Sequence, residues 1–97
     1  MADGAMRLDK FLWFARLAKT RNFAQDVAAA RHLRIDGRVI DKAAAPVRVG
    51  NVLTFPLYDR VRVIRIEALP PRRGPAPEAR ACYTDLAENV SHQASQD

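Results

Sequence analysis

RLDKFLWFARLAKTR, residues Arg7 to Arg21, decides how this chain is read. Leu8, Phe11, Leu12 and Ala15 recur at three- and four-residue spacing, the period of an amphipathic helix, and Trp13 and Phe14 widen the apolar stripe. Arg7, Lys10, Arg16, Lys19 and Arg21 interleave with that stripe. Asp9 is placed to cap a helix over about residues 10–18, because its carboxylate can accept a first-turn N–H that lacks a helical partner. Thr20 is a second cap, ahead of a helix over about residues 21–31 that turns Phe23, Ala24, Val27, Ala28 and Ala30 inward. The short link between them predicts an angled helix pair, with alanines allowing close approach.

Downstream the period changes from helical to alternating. Leu33-Arg34-Ile35 and Arg38-Val39-Ile40 flank Asp36-Gly37, a tight-turn pair, and predict a small hairpin. Residues 42–48 predict an irregular passage, and Gly50-Asn51 a turn into a strand over 52–55. Pro56 ends that strand or puts it at an edge. Residues 61–67 form a further strand, in which Arg62 and Arg65 cannot both share the face of Ile64 and Ile66. Pro70 to Pro75 is a stiff basic connector, and Pro77 opens a third helix with Ala79, Cys82, Tyr83 and Leu86 as its apolar face, docked on the sheet. The fold class is α+β, with an N-terminal helix pair, a small, mostly antiparallel sheet and a C-terminal helix. The expected division is a module over 6–69 with its core motif in 6–55, a connector and docking helix over 70–88, and a disordered polar tail over 89–97.

Ninety-seven residues suit one domain with a modest core. The net charge is +5, and it is unevenly placed: from Arg7 to Arg48 there are ten basic residues against four acidic, a surplus of six. Such a surplus favours a polyanionic partner. A lone cysteine, Cys82, cannot close an internal disulfide, and MADGAM is not followed by the apolar run of a secretion signal, so a cytoplasmic setting is expected. No stretch is long and apolar enough to span a bilayer, and the helical stripes are needed for the core, so no membrane role is expected.

Catalysis has no constellation to stand on. His32 and His92 lie far apart and match no metal-ligand spacing, Cys82 has no histidine pairing, and the four glycines form no phosphate-cradling loop. No catalytic residue, metal, cofactor or small-molecule substrate is expected. Asp36 reads as a turn former whose side chain bonds locally, and Trp13 and Phe14 as core residues before base-stacking platforms.

The cations carry the functional reading. Arg7 and Lys10 flank the start of the first helix, and Lys19, Thr20 and Arg21 the start of the second, where free N–H groups already favour an anion. Arg16 lies between them, Arg34 and Arg38 straddle the hairpin turn, and Arg31 and Lys42 complete the margin. Structured RNA is preferred over DNA, which stays open as an alternative, because neither short helix offers a long polar face for the major groove.

RLDK at 7–10, Leu12-Trp13, Ala15-Arg16, KTR at 19–21, Ala24, RIDG at 34–37 and VRVGNVL at 47–53 together resemble the S4 RNA-binding domain family. The resemblance covers about residues 6–55 and implies that RNA is contacted by Arg7, Lys10, Arg16, Lys19, Thr20, Arg21 and Arg38, with Arg34 beside them. A stand-alone branch of the family associated with heat shock and the stress response, similar also in the stretch from Arg72 to Tyr83, implies binding to dissociated large ribosomal subunits that carry nascent chain and peptidyl-tRNA, in their rescue or recycling. The partners implied are large-subunit ribosomal RNA and tRNA, with the chain a monomer in isolation. The second reading is a non-catalytic RNA- or protein-binding adaptor in ribosome assembly or RNA modification. Two positions depart from the family's habits: Arg31 stands where a glycine often follows the second helix, and Asp36 where asparagine is common. The chain ends VSHQASQD in place of a longer basic tail, so attachment through a tail is not expected.

Overall fold

The computed structural model describes residues 4–57 and 59–86. The element order is β1 (Ala5–Arg7), α1 (Leu8–Phe14), α2 (Arg21–Ala29), β2 (Leu33–Ile35), β3 (Arg38–Ile40), β4 (Pro46–Arg48), β5 (Val52–Leu57), β6 (Arg60–Ile66), α3 (Ala76–Arg80) and β7 (Tyr83–Asp85). One sheet pairs β1 with β4, and the other runs β3-β2-β5-β6-β7, antiparallel throughout. The α+β architecture expected from the sequence is therefore present.

The first helix is shorter than its apolar stripe. α1 ends at Phe14, and Arg16 adopts a left-handed backbone with φ 60°. Arg16 N–H then donates to the Trp13 carbonyl (3.1 Å) and Leu17 N–H to the Leu12 carbonyl (3.0 Å), the paired bonds of a Schellman stop. The reversal folds Leu17 and Ala18 back into the core beside Leu12, so their burial needed no further helix. Asp9 also differs from expectation. It lies inside the first turn and is fully buried, and the cap position belongs to Arg7, whose side chain does not cap.

α2 begins as predicted, with Thr20 Oγ1 accepting from Phe23 N–H at 3.0 Å. It ends at Ala29, two residues early, because Arg31 takes the left-handed φ of 67° that a glycine would adopt more easily. The hairpin turn is built as read, with Asp36 (φ 53°) and Gly37 (φ 86°) both left-handed. The Asp36 carboxylate, however, does not bond locally. It accepts from Asn51 Nδ2 and from Val52 N–H, both at 2.8 Å, and so ties the turn to the start of β5.

Leu53, Phe55 and Leu57 alternate inward along β5 and meet Leu33, Ile64 and Ile66 from neighbouring strands. The helix pair covers this face with Leu8, Phe11, Leu12, Ala24 and Ala28. Pro56 is inside β5 and pairs with Val61, but β2 pairs only as far as Thr54, so β5 has a strand on one side there, the edge setting proline tolerates. Arg62 shares the face of Ile64 and pairs with Asp85 at 2.9 Å, while Arg65 takes the opposite face.

Three strands were not legible as strands. Residues 46–48, expected to be irregular, pair with residues 5–7, for which no element was expected. Tyr83–Asp85, read as part of the third helix, forms an edge strand on β6, and α3 stops at Arg80. Pro77 does open α3, as predicted. The polar tail over 89–97 lies outside the described residues.

Candidate nucleic-acid interface

α1 is the axis of the site. The backbone of Ala43 and Ala45 lies against its first turn, since Asp9 N–H donates to the Ala43 carbonyl (3.0 Å) and Leu8 N–H to the Ala45 carbonyl (2.8 Å). Lys42 is thereby carried to the end of α1 that holds Arg7 and Lys10. Arg38 joins them from the hairpin. It lines a cleft of about 300 Å³ with Ile35, Asp36, Ile40, Ala45 and Pro46. These four cations gather around the start of α1.

A second group lies at the other end of the helix. Arg16, Lys19, Thr20 and Arg21 fill the reversal between α1 and α2, all of them exposed. At 1.5 Å per residue, seven residues of helix set the two groups about 10 Å apart.

Not every predicted residue joins these groups. Arg34 and Arg38 fall on opposite faces of the hairpin, because Arg34 pairs with Val39 and Arg38 with Ile35. Arg38 shares the helix side, and Arg34 looks away from it, its Nη1 folded toward the Gly37 carbonyl at 3.4 Å. Arg31 is exposed beyond the far end of α2.

Asp9 organises the first group. Its carboxylate accepts from Arg7 Nε (3.0 Å) and Nη2 (3.1 Å), from Lys10 N–H (2.8 Å) and, more distantly, from Gln25 Nε2 (3.4 Å) of α2. Burial pushes the carboxyl pKa up, but the Arg7 bonds and charge, with those from Gln25 and Lys10, outweigh it and hold the group below its ordinary value. The Arg7 guanidinium is correspondingly raised by the same carboxylate. Arg7 is half-exposed, so a fixed fork leaves part of its donor set facing solvent.

Arg73 was missed in the sequence. Its Nε donates to the Trp13 carbonyl (3.1 Å), its Nη2 to the Lys19 carbonyl (3.3 Å), and its guanidinium stacks 5.7 Å from the Trp13 ring centre. Arg16 Nε returns a bond to the Gly74 carbonyl at 2.6 Å. The RRGP run at 72–75 was visible as a basic connector, but nothing local marks where it docks. Trp13 is half-buried against the core with Arg73 over its ring, whereas Phe14, expected in the core, is half-buried outside it, beside the Trp13 ring and with Lys10 Nζ 5.6 Å from its own ring centre.

Cys82 is buried, its Sγ directed at the Glu78 carbonyl (3.6 Å), and burial followed by the Glu78 charge pushes the thiol pKa up, away from nucleophilic use. Among the described residues no group of three or more metal-ligating side chains occurs, and no helix is long and apolar enough to cross a membrane.

Comparison with known proteins gives these features a family. The S4 domain model matches residues 6–53. The heat shock protein 15 homolog of Haemophilus influenzae is 33% identical over 90 residues, which cover 93% of this chain. The RQC P-site tRNA stabilizing factor of Bacillus subtilis is 36% identical over 64 residues, 66% of this chain and 73% of that protein. The solved structure of Vibrio cholerae heat shock protein 15, described as trimeric, superposes with a TM-score of 0.82 at 29% identity, covering 95% of this chain and 92% of that one. The chain spans 68% of the length of the Haemophilus protein and 63% of that of the Escherichia coli heat shock protein 15. The helix pair and hairpin that hold the cations are the segment the family model matches, and the likeness to the heat shock protein 15 relatives extends through the connector. The chain therefore belongs to the S4 domain family, in the group of heat shock protein 15.

Proposed function

We propose that the chain binds structured ribosomal RNA of the large subunit, through phosphate contacts made by the two cation groups that flank α1. The observation that carries this reading is the grouping itself: Arg7, Lys10, Arg38 and Lys42 at one end of a seven-residue helix, and Arg16, Lys19, Thr20 and Arg21 at the other. Spaced cations on a short rigid element meet several backbone phosphates of one RNA at once, and read shape before sequence. Arg31 and Arg34, which lie apart from both groups, are left out of this surface. Residues 6–69 make up the binding module, and the segment over 70–86 braces it.

The same reading places the chain in the cytoplasm, on dissociated large subunits that retain nascent chain and peptidyl-tRNA, in their rescue or recycling. The names of the relatives support it: one is called a stabilizing factor for P-site tRNA, and others heat shock proteins. Sedimentation with purified large subunits tests it. Subunits carrying peptidyl-tRNA should retain the protein at concentrations where empty subunits and small subunits do not; equal retention on all three would remove the rescue role and leave general RNA binding. In isolation the chain is read as a monomer, and sedimentation equilibrium should return a single species of 10.9 kDa.

A further inference from the structure

α1 ends without a basic residue in its own last turn, although the carbonyls there form the negative end of the helix. The missing cation arrives from 60 residues away, as Arg73 Nε on the Trp13 carbonyl. The same guanidinium reaches on to the Lys19 carbonyl, one residue before the Thr20 cap of α2. Schellman bonds to Leu12 and Trp13 fix the first half of the reversal, at Arg16, Leu17 and Ala18. Arg73 fixes the second half.

The connector is itself held in shape to do this. Arg16 Nε on the Gly74 carbonyl returns the clasp, and Arg72 pairs with Glu78 at 2.9 Å across the connector's own turn. Gly74 is buried against Glu78, whose Oε2 would lie 2.6 Å from any Cβ placed there. Two arginines from distant parts of the chain thus exchange donors across one interface, and one of them stacks on Trp13.

We infer that Arg73 is a positioning residue of the RNA interface: it holds the α1–α2 reversal in the form that presents Arg21 and the start of α2 to phosphate. This rests on the RNA-binding reading above. A planar fork that grips two carbonyls and lies on an indole cannot be reproduced by an ammonium, so charge alone does not fill the role. RNA affinity then depends on a residue in the C-terminal segment that itself need touch no phosphate.

The test is a double-mutant cycle between Arg73 and Arg21, read by anisotropy with a labelled RNA hairpin of about 20 base pairs, long enough to offer two successive grooves. Arg73→Ala should weaken binding about fivefold, the scale of one hydrogen-bonded restraint, and Arg73→Lys nearly as much. On an Arg21→Ala background the Arg73→Ala effect should shrink below about twofold, because the group being positioned is gone. Losses that multiply, or full affinity in Arg73→Lys, would overturn the inference. Should Arg73→Ala unfold, the Arg73→Lys variant carries the cycle. If Arg21→Ala alone leaves affinity unchanged, the interface reading fails first; if Arg21→Ala weakens binding and Arg73→Ala does not, the positioning role alone is lost.

Discussion

Removing the Asp9 carboxylate should be among the most damaging single changes outside the apolar core. Asp9 is fully buried in the first turn of α1, and four donors converge on it. Hydrogen bonds to a charged acceptor contribute about 1.5–3 kcal/mol each when desolvated. The Arg7 bonds are left out of the sum, because Arg7 is half-exposed and water takes over its donors, and so is the Gln25 contact, which is long. Loss of the Lys10 N–H acceptor and an unfilled space remain. Asp9→Ala should therefore cost about 3 kcal/mol, and Asp9→Asn, which keeps the shape and some acceptor capacity, about 2 kcal/mol. For a chain of this size each kcal/mol lowers the melting temperature by about 4–8 °C.

Urea titration across pH checks the origin of the effect. The folded carboxyl is held below its ordinary value of 3.8, so its stabilisation is fully present above that value and fades as pH falls through the lower folded value. Wild type and Asp9→Asn should differ by a constant amount at neutral pH and converge in acid. A difference below about 0.5 kcal/mol at pH 7, or one that does not shrink as the pH falls below 3.8, would refute the reasoning.

Other outcomes follow from single backbone and cap features. Arg31→Gly relieves a left-handed non-glycine backbone just past α2 and should stabilise the fold by about 1 kcal/mol, seen as a higher urea midpoint with unchanged slope. Thr20→Ala removes the side-chain cap on Phe23 N–H and should cost about 1 kcal/mol by the same assay. Phe11→Ala empties a fully buried position between the helix pair and the sheet and should cost about 3–5 kcal/mol, enough to leave little folded protein at 37 °C.

Periodicity and turn chemistry made most of the fold legible, since both act locally. The Thr20 cap, the Asp36-Gly37 turn and the alternation of Leu53, Phe55 and Leu57 can each be read within a few residues. What escaped depends on partners distant in the chain. Residues 5–7 and 46–48 have no strand signal of their own and pair because the chain brings them together. Tyr83–Asp85 follows a helix opened by Pro77, and only the free edge of β6 turns it into a strand. Helix ends were overrun for a related reason. Arginine at 16 and 31 occupies left-handed positions where glycine would have announced the stop.

The interface divides in the same way. Arg16, Lys19, Thr20 and Arg21 are neighbours in sequence and stay neighbours in space, so their grouping was visible at once. Lys42 and Arg38 reach Arg7 and Lys10 only through the backbone bonds of Ala43 and Ala45 to α1 and through the cleft beside Pro46. Hairpin cations that look equivalent as sequence are separated by strand alternation, Arg38 to the helix side and Arg34 away from it. The Arg73 clasp has no sequence signal beyond a basic run, because its acceptors are main-chain carbonyls that any residue supplies.

The most direct measurement is the salt dependence of binding to a structured RNA hairpin for the wild type and for a variant lacking one cation at each contributing point, Lys10→Ala with Arg21→Ala and Arg38→Ala. With each cation meeting one phosphate, the variant should bind about 100-fold more weakly near physiological salt, and its log–log salt slope should be shallower by about 3. A folded variant with the affinity and salt slope of the wild type would contradict the phosphate-binding surface.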